Sequence, residues 1–157
     1  MKKIFLFSAL FVISIFQTLL AQDNTKEQFP QLLTTYYGIK DALVSGNAAT
    51  AASYATTFIE SVNSIDKETI KEEIRSSLLK DARTISQSKD LSIQREKFAT
   101  LSTTMIALAK TVKLSTEPVY LQYCPMKKAS WLSDTKAIKN PYYGSAMLTC
   151  GNVKETL

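Results

Sequence analysis

Between residues 29 and 115 the apolar positions recur at helical spacing, with polar residues filling the other faces. Leu32, Leu33, Tyr36, Tyr37, Ile39, Leu43 and Val44 follow Pro30, which suits a first helical turn, and run to a Gly46 stop. Asn47 is placed to cap a second helix, in which Ala48, Ala51, Ala52, Ala55, Phe58, Ile59 and Val62 keep to one stripe. Its small alanines allow a neighbouring helix to approach closely. Asp66 predicts the N-cap of a third helix bearing Ile70, Ile74, Leu78 and Ile85. A fourth starts at Asp90 or Ser92 and runs to about Lys113, with Phe98, Leu101, Met105, Leu108 and Val112 on one side. Short connections make sequence neighbours antiparallel, so the pattern predicts a mostly α chain built on an up-down four-helix bundle.

The texture changes after Pro118. Val119-Tyr120-Leu121-Gln122-Tyr123 is a short β-type run leading into Cys124-Pro125-Met126. Lys128-Ala129-Ser130-Trp131-Leu132-Ser133, the turn former Asn140-Pro141-Tyr142-Tyr143-Gly144 and Met147-Leu148-Thr149-Cys150-Gly151 complete the tail. Tyr120, Tyr123, Trp131, Tyr142 and Tyr143 carry too much ring surface to leave in water. Residues 118–157 are therefore expected to pack on the bundle as an irregular, short-β segment, making residues 22–157 a single domain.

The N-terminus reads as export. Lys2 and Lys3 precede an apolar run from Ile4 to Leu20, and Ala21 is a small residue before polar sequence. This order is that of a cleaved signal peptide over residues 1–21, with an uncleaved anchor helix as the alternative. No cysteine lies near the cut to take a lipid, so the expected location is periplasmic or secreted, away from the membrane after cleavage. Without the two leader lysines there are 17 basic and 14 acidic residues, and the excess sits wholly in the tail. So small a surplus does not make a nucleic-acid footprint.

Histidine is absent from all 157 residues, which removes Ser-His-Asp and Cys-His catalysis and the HExxH zinc motif. Glu72 and Glu73 are adjacent and point in different directions around a helix. No Gly-rich phosphate loop or nucleophile elbow is present. The expectation is a protein that is not an enzyme.

The remaining chemistry lies with sulfur. Both cysteines and two of the three methionines beyond Met1 stand in the tail, as Cys124-x-Met126 and Met147-x-x-Cys150. An exported chain can join Cys124 to Cys150 as a disulfide, and closing that loop contributes roughly 3.5 kcal/mol in the chain-entropy model. The same four sulfurs without nitrogen or hard oxygen suit Cu(I) or another soft ion. Lys127 and Lys128 offset the charge of two thiolates on a monovalent ion, and Trp131 stands near enough in sequence to shield it. Both readings require the cysteines to converge, with the run before Cys124 beside the segment ending at Cys150.

Tyr36-Tyr37-x-Ile39-Lys40-x-Ala42-Leu43-x-x-Gly46, Gln94-Arg95-x-x-Phe98 and Leu101-Ser102 in the bundle carry a family resemblance. So do Tyr123-Cys124-Pro125-Met126, Trp131-Leu132-Ser133, Ile138-x-Asn140-Pro141-Tyr142-Tyr143-Gly144 and Met147-Leu148-x-Cys150-Gly151 in the tail. The chain resembles a secreted bacterial family of domains of unknown function, found alone or fused to CusB-type periplasmic adaptors of heavy-metal efflux. The resemblance implies copper or related metal handling outside the inner membrane, with an efflux adaptor as partner. Cys-Pro-Met is also similar to short heavy-metal-binding domains of efflux proteins, where histidine commonly follows; here Lys127 stands instead. The leading expectation is a non-enzymatic periplasmic binder of Cu(I) or a similar soft metal, with Cys124, Met126, Met147 and Cys150 as ligands. The alternative is a disulfide-stapled interaction module docking on such an adaptor.

Overall fold

A computed structural model describes residues 24–157, with side chains from Gln28 onward. The expected signal segment at residues 1–21 lies outside the described residues. No helix among the described residues is long and apolar enough to cross a membrane.

Four helices come first: α1 (Asn24–Ser45), α2 (Ala48–Ser64), α3 (Glu72–Gln87) and α4 (Leu91–Ala109). The apolar stripes form the core, with Leu32, Tyr36, Ile39, Leu43, Ala51, Ala55, Phe58, Leu78, Ile85, Phe98 and Leu101 fully buried. Each helix packs on the next. The α1–α2 approach is close enough that a Cβ on Gly38 would overlap the Tyr54 ring. Asn47 caps α2 through Thr50 N–H (3.0 Å), and Asp90 caps α4 through Ser92 N–H (2.7 Å).

Asp66 does not cap the third helix. Its carboxylate accepts Glu68 N–H (2.9 Å) in a turn, and α3 begins six residues later at Glu72. The cause is Arg75, whose guanidinium donates to the carbonyls of Val62 (2.6 Å), Ile65 (2.8 Å) and Asp66 (2.9 Å). Those carbonyls end α2 and need donors; serving them from α3 holds residues 65–71 as a link, though Ile70 stays buried. Similarly, α4 stops at Ala109 rather than near Lys113, because Thr111 N–H bonds Leu108 O (2.9 Å) and tightens the last turn.

The tail forms a three-stranded antiparallel sheet in the order β2–β1–β3, with β1 (Tyr120–Cys124), β2 (Ala129–Ser133) and β3 (Asn152–Thr156). β1 meets β2 with Gln122 opposite Trp131, and meets β3 with Tyr123 opposite Asn152. The strand beside β1 is thus the one after Cys150. The segment ending at Cys150 is a 3-10 turn (Gly144–Met147) and its exit, which corrects the expected pairing.

The tail packs on the bundle through rings and hydrogen bonds. Tyr36 stacks on Phe98 (5.1 Å), Phe98 meets Tyr142 (6.1 Å), and Tyr142 meets Trp131 edge-on (5.8 Å). The Tyr36 hydroxyl pairs with Ser102 Oγ (2.7 Å) and accepts Leu132 N–H from β2 (3.1 Å). Lys40, buried to its ammonium, reaches Asp134 Oδ1 (3.1 Å) just past β2. Trp131 and Tyr142 are buried and the other three tail tyrosines are half-buried, as their ring area requires.

Candidate thiol site

β1 delivers Cys124 to the end of the sheet that carries the β1–β2 turn, where its side chain is fully buried. The 3-10 turn and the bend after it bring Cys150 to the same end, half-exposed. The two sulfurs are 3.1 Å apart and both are free thiols. The convergence expected from sequence is present.

The turn of residues 125–128 closes over the pair. Lys127 N–H donates to Cys124 Sγ (3.4 Å), and Lys128 takes a left-handed conformation (φ 54°) that lets the four-residue link return into β2. Gly151 is required where it stands. With φ at 152°, a Cβ there would come within 3.0 Å of both Trp131 Cη2 and the Tyr123 carbonyl. Trp131 is therefore a packed wall against Gly151, with no exposed face.

Asn140 links the pieces and was legible in the sequence only as a turn former. It is fully buried. Its amide nitrogen donates to the Cys150 carbonyl (2.8 Å), while Oδ1 accepts the N–H groups of Tyr142 (2.8 Å) and Tyr143 (3.3 Å). Its backbone N–H bonds Leu148 O (2.8 Å).

These donors bias the thiols in opposite directions. Burial pushes the Cys124 thiol up, but the hydrogen bonds from Lys127 N–H and Cys150 help to outweigh it, and Cys124 is held below the ordinary thiol value. Cys150 is raised, first by its hydrogen bond to Cys124 and then by burial and the Cys124 charge. The favoured one-proton state is a Cys124 thiolate accepting the Cys150 S–H.

The predicted methionines sit differently. Met126 is 64% exposed in the turn, and Met147 is half-buried at the end of the 3-10 helix. Lys127 and Lys128 are exposed on the same turn. Among the described residues no group of three or more His, Cys, Asp or Glu side chains could hold a metal ion. The thiol pair by itself could hold a soft ion of low coordination number and suits zinc, which takes four ligands, poorly. Two metal–sulfur bonds of about 2.3 Å hold sulfurs some 4 Å apart, and a disulfide holds them at about 2.05 Å. At 3.1 Å the pair lies between, about 1 Å from either.

Residues 32–117 match the family model described as "Protein of unknown function (DUF3347)". No curated protein and no solved structure matches the chain significantly. The matched segment spans more than half of the chain and runs from α1 to the residue before Pro118, so the thiol tail lies beyond it. The chain belongs to this DUF3347 family.

Proposed function

With that membership as premise, we propose that the protein is a non-enzymatic, extracytoplasmic binder of a soft metal ion, Cu(I) or an ion like it, held by Cys124 and Cys150. The carrying observation is the 3.1 Å thiol pair, assembled from positions 26 residues apart. On this reading Met126, exposed in the turn two residues after Cys124, would supply a thioether for entry and exit, and Met147, three residues before Cys150, would be the fourth sulfur. Lys127 and Lys128 offset the single negative charge left when two thiolates hold a monovalent ion. Export is supported by the apolar run after Lys2 and Lys3. The resemblance to domains fused with heavy-metal efflux adaptors supports such a complex as the giver or receiver of the metal.

The same separation favours a second reading, in which an oxidising compartment closes the pair and the stapled domain serves as a docking module on the adaptor. Native mass spectrometry of the protein, reduced and oxidised, with and without Cu(I), separates the two. One copper per reduced chain, lost in Cys124→Ser and Cys150→Ser, supports the metal reading. A two-hydrogen mass loss under mild oxidation with no copper retained by the reduced form supports the staple.

A further inference from the structure

We propose that Asn140 is the positioning residue of the thiol pair, holding the Cys150 backbone against the end of β1 so that its sulfur meets Cys124. This rests on the pair being the working site and applies to either fate of the sulfurs. Two elements have to meet at this point. Cys124 is fixed by the β1 ladder, whereas Cys150 follows a 3-10 helix and precedes β3, outside any strand. The ladder resumes only at Asn152, opposite Tyr123, so the Cys150 backbone itself has no strand partner.

Asn140 supplies a link instead. It is fully buried and uses both ends of its amide: Nδ2 on the Cys150 carbonyl at 2.8 Å, and Oδ1 on Tyr142 and Tyr143 N–H. Its main chain closes the same loop at both ends, through Leu148 O and Gly144 N–H (3.0 Å). Tyr142, which the Asn140 oxygen fixes, donates to Ser130 O of β2 and packs edge-on against Trp131. Trp131 in turn lies beside Gly151. The loop is thus anchored to the sheet on one side, and Asn140 transmits that anchor to Cys150 on the other. An aspartate at this position keeps the Oδ1 acceptor for the tyrosine N–H groups. It loses the donor to Cys150 O and sets two oxygens against each other.

The test measures Cu(I) affinity, by competition with a colorimetric chelator, and the Cys124–Cys150 disulfide potential, in glutathione buffers, for the protein and for Asn140→Asp. Folding of the variant is checked by circular dichroism. Lys40→Met serves as a control that lowers stability away from the loop. Cu(I) affinity in N140D falls at least tenfold. The disulfide also becomes at least tenfold easier to reduce, about 30 mV less negative, while K40M matches the unaltered protein in both. A folded N140D equal to the unaltered protein in both readouts overturns the proposal and leaves the metal reading standing. An unaltered protein that holds no Cu(I), alongside a shifted N140D potential, sinks the metal reading and leaves Asn140 in place. If N140D fails to fold, Asn140→Ser replaces it; serine still accepts a tyrosine N–H but is too short to reach the Cys150 carbonyl. In the unaltered protein the Asn140 side-chain amide is slow to exchange and its NMR signals move on closure of the disulfide. Fast exchange and unmoved signals contradict the assignment without any variant.

Discussion

Replacing Tyr36 with phenylalanine removes one oxygen from a site that joins helix α1, helix α4 and strand β2. β2 is an edge strand, and Leu132 N–H points away from β1 to the Tyr36 hydroxyl at 3.1 Å. Burial raises the Tyr36 pKa far above the ordinary phenol value, so the group stays protonated and can give its own hydrogen to Ser102. In Tyr36→Phe the ring and its stack on Phe98 remain, while Leu132 N–H is left without a partner inside the protein. An orphaned buried donor costs about 1–3 kcal/mol. Ser102 is spared most of that cost, because its hydroxyl can turn to the carbonyl four residues back, as Thr103 does on Ala99 O (3.0 Å). The expected loss is about 2 kcal/mol, or roughly 8 °C in Tm for a domain of this size. Urea unfolding reads it as a lower midpoint with an unchanged slope. A midpoint within about 0.5 kcal/mol of the unaltered protein would refute the claim that the bundle seals the β2 edge through this hydroxyl.

Lys40→Met gives a pH-dependent loss. Burial raises the Asp134 carboxyl, but the hydrogen bond and charge of Lys40 outweigh it and hold the pKa below the ordinary carboxylate value. A depressed carboxylate contributes stability above its unfolded pKa and loses it as pH falls through the folded one. The stability difference between the protein and K40M, measured by urea unfolding, is therefore full near neutrality and shrinks below about pH 4; a difference that grows on acidification contradicts the pairing. Gly151→Ala meets Trp131 Cη2 and the Tyr123 carbonyl at 3.0 Å in a conformation that costs an L-residue about 1–3 kcal/mol. It lowers the urea midpoint accordingly and shifts Trp131 fluorescence, whereas an unchanged midpoint and spectrum would mean that the Cys150 exit is loose.

The helices were legible because burial of one face writes itself into spacing: of the seven positions in the second helix's stripe, Ala51, Ala55, Phe58 and Val62 are buried and Ala48, Ala52 and Ile59 flank them half-buried. Asp66 misled because a good capping residue also makes a good turn, and Arg75, nine residues away, decided between them. β3 left no trace: Asn152–Thr156 is exposed at every position, so it has no buried face to alternate, and its place is set by the β1 ladder. The cysteines announced themselves by chemistry and spacing. Asn140 did not, since Asn before Pro reads as a turn whatever its amide touches. Tyr36 read correctly as a core ring, but its hydroxyl serves a strand 96 residues away, which no local pattern can encode.

Copper K-edge X-ray absorption on the reduced protein loaded with one equivalent of Cu(I) tests the central claim most directly. The expected first shell is sulfur alone, two to four atoms at about 2.3 Å, with no light-atom scatterer. Loss of that shell is also expected in Cys124→Ser and in Cys150→Ser. A shell containing nitrogen or oxygen, or an unchanged sulfur shell after either cysteine is removed, would contradict the claim.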